Sequence, residues 1–342
     1  MADVRVGING AFGSIGRRFL RASLAHPAVN VVAVNDLGDP AAGSHYLKYD
    51  SNYGVLDREV RYDPGETGGG GRLYLDGREI AITAHRSPED IPWGQLGVDI
   101  VIEATGFFTD GAKARGHLAG GAKKVIISAP ADHEDVTLVL GVNEERYRPA
   151  HDHIISNASC TTNCLAPVAK VLDERFGIAA GVMTTAHSYT NDQRLLDLAH
   201  RDLRKGRAAA DNIIPTSTGA AKALHRVLPQ LEGKMHGIAL RVPTPVVSVV
   251  DLVFTTERPA TVAAINEAFR EAAASPLGQY LAVSDLPLVS SDFKGDPHSA
   301  TVDLPLTMVV GGLAKVIAWY DNEWGYSNRL VELAQFIAQQ GL

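Results

Sequence analysis

The pattern of apolar and polar positions gives the two halves of the chain different characters. In the first half, short unbroken apolar runs alternate with helical patterns. Val4 to Ile8 reads as a buried strand and Val29 to Val34 as a second. Between them, Gly16 to His26 reads as a helix, with Phe19, Leu20 and Leu24 on one side and Pro27 closing it. Val98 to Ala104 and Lys124 to Ser128 are two more short apolar runs bounded by turn residues. Strand, helix and strand in that order predict a parallel sheet with right-handed crossovers. The glycine-rich stretch 65–72 reads as a solvent-facing turn between strand-like segments.

In the second half, strand-like runs cluster at Gly181–Thr185, Gly237–Pro243, Val246–Thr255, Thr301–Leu304 and Leu313–Tyr320. Fewer helices separate them, and Pro243 and Pro245 fall near strand ends. This predicts a mixed or antiparallel sheet with one helix-covered face. In the helix that follows one strand, from Leu165 to Phe176, Pro167 is expected to cause a kink or a break. Tyr326–Gln340 reads as a single amphipathic helix with no later element to cover its apolar face, so it is expected to return to the first domain.

Composition narrows the function classes. A chain of 342 residues is too long for one ordinary core, so two domains are expected. Apolar residues make up 45% and charged residues 21%, as in a globular protein in water. No apolar run is long enough to span a bilayer, and the N-terminus runs straight into a strand pattern, so neither membrane insertion nor secretion is expected. Cys160 and Cys164 are the only cysteines; four residues apart, they form no disulfide framework, and a reducing cytoplasm is the expected compartment. His151 and His153 have no metal-site company and read as surface residues; no metal is expected. A net charge of −7 argues against nucleic-acid binding but leaves room for a local basic site for a small anion.

The strongest local signal in the first half is Val4–Gly10 leading into Ala11-Phe12-Gly13-Ser14-Ile15-Gly16, a strand, a glycine turn and a helix. Glycines let the backbone bend tightly and approach a pyrophosphate, whose charge then sits at the helix N-terminus. Asp36 ends the second strand twenty residues after Gly16, where a carboxylate can accept from ribose hydroxyls. A glycine turn with a capping aspartate is the plain alternative; strand, helix and acid together favour a dinucleotide site. In the second half, Ser159 is a good N-cap for the helical pattern 165–176, which puts Cys160 in the first turn, where helix dipole and unpaired N–H groups favour a thiolate. Cys164, one turn on, reads as a small buried hydrophobe. His187 closes an apolar run and can present its imidazole at a strand end, within reach of a thiol from another element. Alone, each is more often structural.

The wording around them is more specific. Gly7-Ile8-Asn9-Gly10, the run Ser156–Pro167, and the segments 185–193, 214–222, 240–245 and 319–326 resemble phosphorylating glyceraldehyde-3-phosphate dehydrogenases over essentially the whole chain. Segment 35–51 looks closer to bacterial and plastid types than to animal ones. The resemblance implies an α/β fold with a Rossmann-type parallel-sheet domain for NAD(P) at 1–158, completed by the C-terminal helix 322–342. It implies an α+β catalytic domain with a mixed or antiparallel sheet at 159–321. It implies Cys160 as nucleophile, with His187 assisting its deprotonation and stabilising the oxyanion of a thiohemiacetal that becomes a thioester cleaved by phosphate. Thr190, Asp192 and Arg241 look like the pocket for the phosphate of glyceraldehyde 3-phosphate. Ser159, Thr161, Arg204, Thr218 and Gly219 look like the pocket for inorganic phosphate; Lys205, in the same basic run, reads as a solvated charge. Asn9, Gly10, Gly13, Ser14, Ile15, Asp36, Arg86, Thr105, Ser128 and Asn322 match cofactor positions. A homotetramer is implied, with Asp197–Ile214 at a subunit interface.

Two departures bear on the cofactor. Two residues, Ala11 and Phe12, separate Gly10 from the next glycine where the family usually has one, and Ser14 replaces the usual arginine, so the loop is expected to bulge or shift register. Asp36 should repel a 2′-phosphate, and Leu37 offers it no hydroxyl. Leu198 is apolar as in NAD-selective relatives, yet Ala199 stands where those usually carry proline. NAD is therefore the expected cofactor, with NADP also usable. Three rival readings remain: an erythrose-4-phosphate dehydrogenase that resolves the same thioester with water, a non-catalytic binding or regulatory protein on the same fold, and a dinucleotide reductase without covalent catalysis. The intact Ser217-Thr218-Gly219 and Tyr189–Asp192 argue against the first, and the presence of both Cys160 and His187 against the second.

Overall fold

Buried apolar runs pair side by side in the computed structural model, which describes residues 3–65 and 71–342. The chain divides into two units: residues 1–138, 144–158 and 327–342 form one, and residues 139–143 and 159–326 the other. The short segment 139–143 and residues 322–326 thus group with the second unit. Part of the expected turn at 65–72, residues 66–70, lies outside the described residues.

In the first unit, β1 (Val4–Asn9), α1 (Ser14–Ser23), β2 (Val29–Asn35) and α2 (Pro40–Lys48) follow in order. Then come β3 (Val60–Asp63), β4 (Arg72–Leu75), β5 (Arg78–Thr83), β6 (Ile100–Glu103), β7 (Lys124–Ile127), β8 (Val136–Thr137) and β9 (Ile154–Ser156). Among the described residues they make one sheet in the order β8-β9-β7-β6-β1-β2-β5-β4-β3. The pairs from β8 to β5 are parallel, as the alternation predicts. The strand-like segments flanking the turn at 65–72 form the antiparallel extension β5-β4-β3, with β3 at the edge. Val6, Ile8, Ile100 and Ile102 are fully buried, and α1 adds Phe19 and Leu20 to this core. All are apolar on both faces of their strands because a parallel sheet is covered on both sides.

The second unit begins with α3 (Cys160–Phe176) and β10 (Ile178–Ser188), then β11 (Ile214–Ser217), α4 (Ala220–Val227), β12 (Met235–Val242) and β13 (Ser248–Thr256). It continues with α5 (Val262–Ala273), β14 (Leu281–Ser284), β15 (Ala300–Asp303), β16 (Met308–Val310) and β17 (Leu313–Tyr320). The sheet order is β11-β12-β10-β13-β17-β15-β14, with β16 paired to β17. It is mixed: β10 runs parallel to β12 and antiparallel to β13. One face is covered, with Met183, Val250, Leu252, Phe254, Val316 and Ala318 buried, while Val182 and Ile238 on the other face are exposed.

Helix α3 runs unbroken through Pro167, so the break that was one of the two expected outcomes does not occur. Proline there removes a hydrogen bond and crowds the preceding turn, at about 3 kcal/mol. Leu165, Val168 and Leu172, all fully buried, each contribute roughly 1.5–3 kcal/mol of burial and outweigh it. The last helix, α6 (Trp324–Gln340), starts where Asp321 accepts from the Glu323 and Trp324 N–H groups at 3.0 and 2.8 Å. From Ser327 on it belongs to the first unit, with Leu330, Val331, Leu333, Ala334 and Ile337 fully buried and Phe336 edge-on to Tyr147. Among the described residues no helix is long and apolar enough to cross a membrane.

Candidate active site and cofactor cavity

The first unit holds a cavity of about 710 Å³ at the C-terminal ends of β1 and β2. Asn9, Gly10, Gly13, Asp36, Arg86 and Thr105 line it, six of the residues singled out from sequence. Gly10 has φ +83°, and a Cβ there would come within 2.9 Å of the Thr105 nitrogen, so only glycine fits. The extra residue is taken up in a turn: the Gly13 N–H donates to the Gly10 carbonyl at 3.2 Å, and Ala11 is fully buried. The Phe12 ring lies on the Gly43 backbone, where an added Cβ would approach it to 2.2 Å. Helix α1 then starts at Ser14 and Ile15, with no side-chain cap at Gly13 and no acidic residue in its first turn, a fitting place for a pyrophosphate.

Asp36 is held by both oxygens, accepting from the Phe12 N–H and the Gly38 N–H at 2.8 Å each. Behind the cavity, Trp93 donates to His117 Nδ1 at 3.0 Å, so His117 carries its proton on Nε2, 2.9 Å from Glu103 Oε2. Glu103 also accepts from Asn9 Nδ2 at 2.7 Å and from the Thr105 N–H at 2.8 Å. Asn35 donates to Asn9 Oδ1 at 2.8 Å. This buried network fixes the Asn9 and Thr105 side chains, and no motif in the sequence signalled it. Leu37, already placed beside Asp36, lines the cavity together with Tyr46, Phe107 and Phe108, an apolar wall whose three aromatic residues the sequence motifs did not signal. Ser128 follows β7, its N–H donating to the Glu103 carbonyl at 2.9 Å. Ser14, Ile15, Ser128 and Asn322 are not among the lining residues. Asn322 lies in the second unit, its Oδ1 accepting from Ser188 and Ser248 hydroxyls at 3.0 and 3.1 Å.

In the second unit, Ser159 caps α3 by accepting from the Thr162 N–H at 3.0 Å, a bond worth roughly 1 kcal/mol to the helix. Cys160 is therefore the first residue of the helix. Its Sγ lies 3.5 Å from His187 Nε2, near the end of β10. Burial pushes the Cys160 thiol up, against the pull of the Arg241 charge and of hydrogen bonds from Thr161 and its own backbone. Cys164 is buried and its thiol is pushed well up, the inert hydrophobe expected. Parallel pairing of β10 with β12 sets His187 beside Arg241, whose Nη1 lies 2.7 Å from His187 Nδ1. The Tyr320 ring stands edge-on to His187, its hydroxyl within 2.9 Å of Thr161 Oγ1 and 3.0 Å of Thr185 Oγ1. Burial pushes that phenol far above its ordinary range.

The remaining anion candidates are spread over the loops. The Thr190 N–H donates to Gln193 Oε1 at 3.3 Å. Asp192 is paired with Lys205, which holds its carboxyl below the usual range, with His200 nearby at 3.6 Å. Lys205 is thus an ion-pair partner and not the solvated charge read from the sequence, with its side chain 21% exposed. Arg204 is exposed. Thr218 Oγ1 accepts from the Ala220 N–H at 3.2 Å, and Gly219 caps α4 with open space where its side chain would be.

Acid stability is a direct readout of this arrangement. Burial first, and then the Arg241 charge, depress the pKa of His187 to about 3. The unfolded chain binds that proton near pH 6.5, so this contribution to stability is complete above that pH and is lost as pH falls toward 3. Between pH 7 and about pH 4.5, urea unfolding of the native protein should lose about 2–3 kcal/mol more than unfolding of a His187→Gln variant. Equal losses would show that His187 is not the residue held neutral.

A parallel-sheet unit with a cavity at the ends of its strands and a mixed-sheet unit carrying a cysteine–histidine pair place the protein among two-unit α/β proteins. Residues 4–111 match the NAD binding domain of glyceraldehyde 3-phosphate dehydrogenase, and residues 159–322 match its C-terminal domain. The chain is 58% identical over 339 residues to glyceraldehyde-3-phosphate dehydrogenase 2 of Streptomyces avermitilis, covering 98% of this chain and 99% of that one. It is 57% identical over 340 residues to the enzyme of Geobacillus stearothermophilus, covering 99% of each. It is 56% identical over 345 residues to the chloroplastic GAPB enzyme of Arabidopsis thaliana, covering 99% of this chain and 76% of that one. The chain belongs to the glyceraldehyde-3-phosphate dehydrogenase family, with bacterial and plastid relatives as its wording indicated.

Proposed function

We propose that the protein oxidises glyceraldehyde 3-phosphate with NAD and inorganic phosphate to 1,3-bisphosphoglycerate, through a thiohemiacetal and a thioester on Cys160. The observation that carries this reading is Cys160 Sγ at a helix N-terminus, 3.5 Å from His187 Nε2. Cys160 attacks the aldehyde carbon while His187 takes the thiol proton. The Cys160 backbone N–H and protonated His187 face the oxyanion that develops on the carbonyl oxygen. Asn9, Gly10, Asp36 and Thr105 fit the cofactor's ribose and phosphates by their chemistry, and NAD there supplies the oxidant that takes the thiohemiacetal to the thioester. Phosphate then attacks the thioester carbon, Cys160 leaves as thiolate and an acyl phosphate is released. Hydroxyls and backbone N–H groups of Ser159, Thr161, Thr218 and Gly219, with Arg204, suit the attacking phosphate. Thr190, Asp192 and Arg241 are assigned to the phosphate of the substrate, in the cytoplasm, in a homotetramer to which the exposed Val182–Ile238 sheet face and Leu195, Leu196, Leu198 and Leu203 offer apolar surface.

A steady-state assay tests the reading. Aldehyde oxidation should require inorganic phosphate; an equal rate with water alone, on erythrose 4-phosphate, would favour the hydrolytic relative instead. Arg241→Ala should raise KM for glyceraldehyde 3-phosphate by roughly 10–100-fold, the loss of a charge-assisted hydrogen bond of ~1.5–3 kcal/mol. An unchanged KM removes Arg241 from the substrate site.

The same reading gives NAD a higher kcat/KM than NADP. Two backbone donors hold the Asp36 carboxylate in place, so a 2′-phosphate meets a fixed negative charge. Asp36→Gly should improve kcat/KM for NADP about tenfold or more, the equivalent of ~1.4 kcal/mol of removed repulsion. If NADP use does not improve, discrimination lies in the loop around Ala199.

A further inference from the structure

The last residues of four neighbouring strands stand in register at the C-terminal ends of the first sheet: Glu103 of β6, Asn9 of β1, Asn35 of β2 and Thr83 of β5. Hydrogen bonds join their side chains from strand to strand. Thr83 donates to Asn35 at 2.9 Å, Asn35 to Asn9 at 2.8 Å and Asn9 to Glu103 at 2.7 Å. At the β5 end the Asn35 amide also pairs with a peptide: it accepts from the His85 N–H at 2.8 Å and donates to the His85 carbonyl at 2.9 Å. At the β6 end Glu103 accepts from the Thr105 N–H and hydroxyl, and that hydroxyl accepts from the Phe107 N–H at 3.1 Å. One strap of side chains thus ties the loop after β5 to the loop after β6, and both loops line the cavity.

The direction of each bond is set from the two ends. Trp93 has only a donor to offer, so His117 accepts at Nδ1 and keeps its proton on Nε2, facing Glu103 Oε2. Glu103, 1% exposed, therefore meets donors at both oxygens, Asn9 and His117 at one and Thr105 at the other. The Asn9 oxygen is then left for the Asn35 amino group, and the Asn35 oxygen for the His85 N–H. An amide in place of the carboxylate has no orientation that fits. Its amino group would face either the His117 proton or the Thr105 backbone N–H, and neither can turn. If Asn9 turned to relieve the conflict, its own amino group would meet that of Asn35, which the His85 peptide holds in place.

A dinucleotide crosses such a sheet where the strand order turns, here between β1 and β6. Asp36, directly after β2, puts the adenosine ribose on the β2–β5 side, which leaves the other half of the cofactor over β6. We propose that Glu103 is a positioning residue for the cofactor, fixing through this strap the loops on both sides of the cavity, the distant adenosine side included. The inference rests on the placing of the cofactor in this cavity made above.

Calorimetric titration of Glu103→Gln with NAD and with AMP, which carries adenosine and one phosphate only, reads the two sides. Kd for NAD should rise roughly tenfold or more, the loss of a hydrogen bond to a charged group. Kd for AMP should rise about threefold or more, although Glu103 stands on the other side of β1. Loss of a negative charge by itself would favour an anion, so weaker AMP binding reports the strap and not the charge. Hydrogen exchange of the ligand-free variant, followed by mass spectrometry, should be faster at 84–88 and at 105–108. Exchange at 313–320, in the second unit, should stay native, which a general loss of folding would not allow. AMP bound as tightly as by the native protein, or native exchange at 84–88, overturns the proposal. Arg86→Ala tests the placing of adenosine separately. If that variant binds AMP as the native protein does, the placing fails, and exchange at 84–88 in Glu103→Gln alone decides the strap. If Glu103→Gln does not fold, Asn35→Asp brings the conflict in from the other end, by setting an oxygen against the Asn9 oxygen. Exchange at 105–108 should then rise, and native exchange there overturns the proposal.

Discussion

Cys160→Ser should lower kcat for aldehyde oxidation by at least ~10⁴-fold, the scale on which removal of a covalent nucleophile acts. The helix N-terminus and the Arg241 charge favour the anion at this position, but burial opposes it, and the balance leaves even the thiol above its ordinary range. A hydroxyl starts several pKa units higher, so the same surroundings cannot ionise it. An oxygen ester is also a poorer acyl donor than a thioester. Binding of NAD should survive, because the cavity in the first unit is lined by other residues. Titration of intrinsic fluorescence with NAD checks that survival, and steady-state turnover checks the loss. Turnover within tenfold of the native enzyme would remove Cys160 from the chemistry.

His187→Asn should lower kcat by roughly 10²–10⁴-fold, the range of positioned acid–base assistance. Asparagine keeps a polar amide near Cys160 but takes no proton from it. The pH profile separates this from simple misplacement. As pH rises the Cys160 thiol ionises without a base, so the gap between variant and native enzyme should narrow toward alkaline pH. A gap that stays constant across the profile would mean that His187 acts only as a spacer or an oxyanion donor. Alkylation of Cys160 by iodoacetamide, measured over the same range, reports the thiolate directly.

How much of this was legible depends on the range over which each signal acts. The strands Val4–Asn9, Val29–Asn35 and Leu313–Tyr320 are visible in the apolar runs because burial on both faces, or on alternate residues, writes itself into consecutive positions. The strands Val60–Asp63, Arg72–Leu75 and Arg78–Thr83 show only as strand-like segments around the turn at 65–72, since half-exposed strands carry polar residues among the apolar ones. Pro167 does not break its helix, because tertiary burial around it outweighs the local cost. The start of α3 at Cys160 was legible from Ser159, a capping residue that acts on the N–H three positions away.

By itself, then, the sequence determined what depends on neighbours along the chain: the glycine turn before α1, the capped cysteine, the acid at the end of β2, and the change from parallel to mixed sheet. Its long motifs also determined the family. Only the tertiary structure decided the contacts between residues distant in sequence. It set Cys160 3.5 Å from a histidine 27 positions later. It placed Arg241 on that histidine through the pairing of two strands 54 residues apart, and paired Lys205 with Asp192. It built the chain Trp93–His117–Glu103–Asn9 behind the cavity from four separate segments. Such contacts leave no periodic trace, because a hydrogen bond constrains two side chains at the positions that topology brings together and leaves the residues between them free.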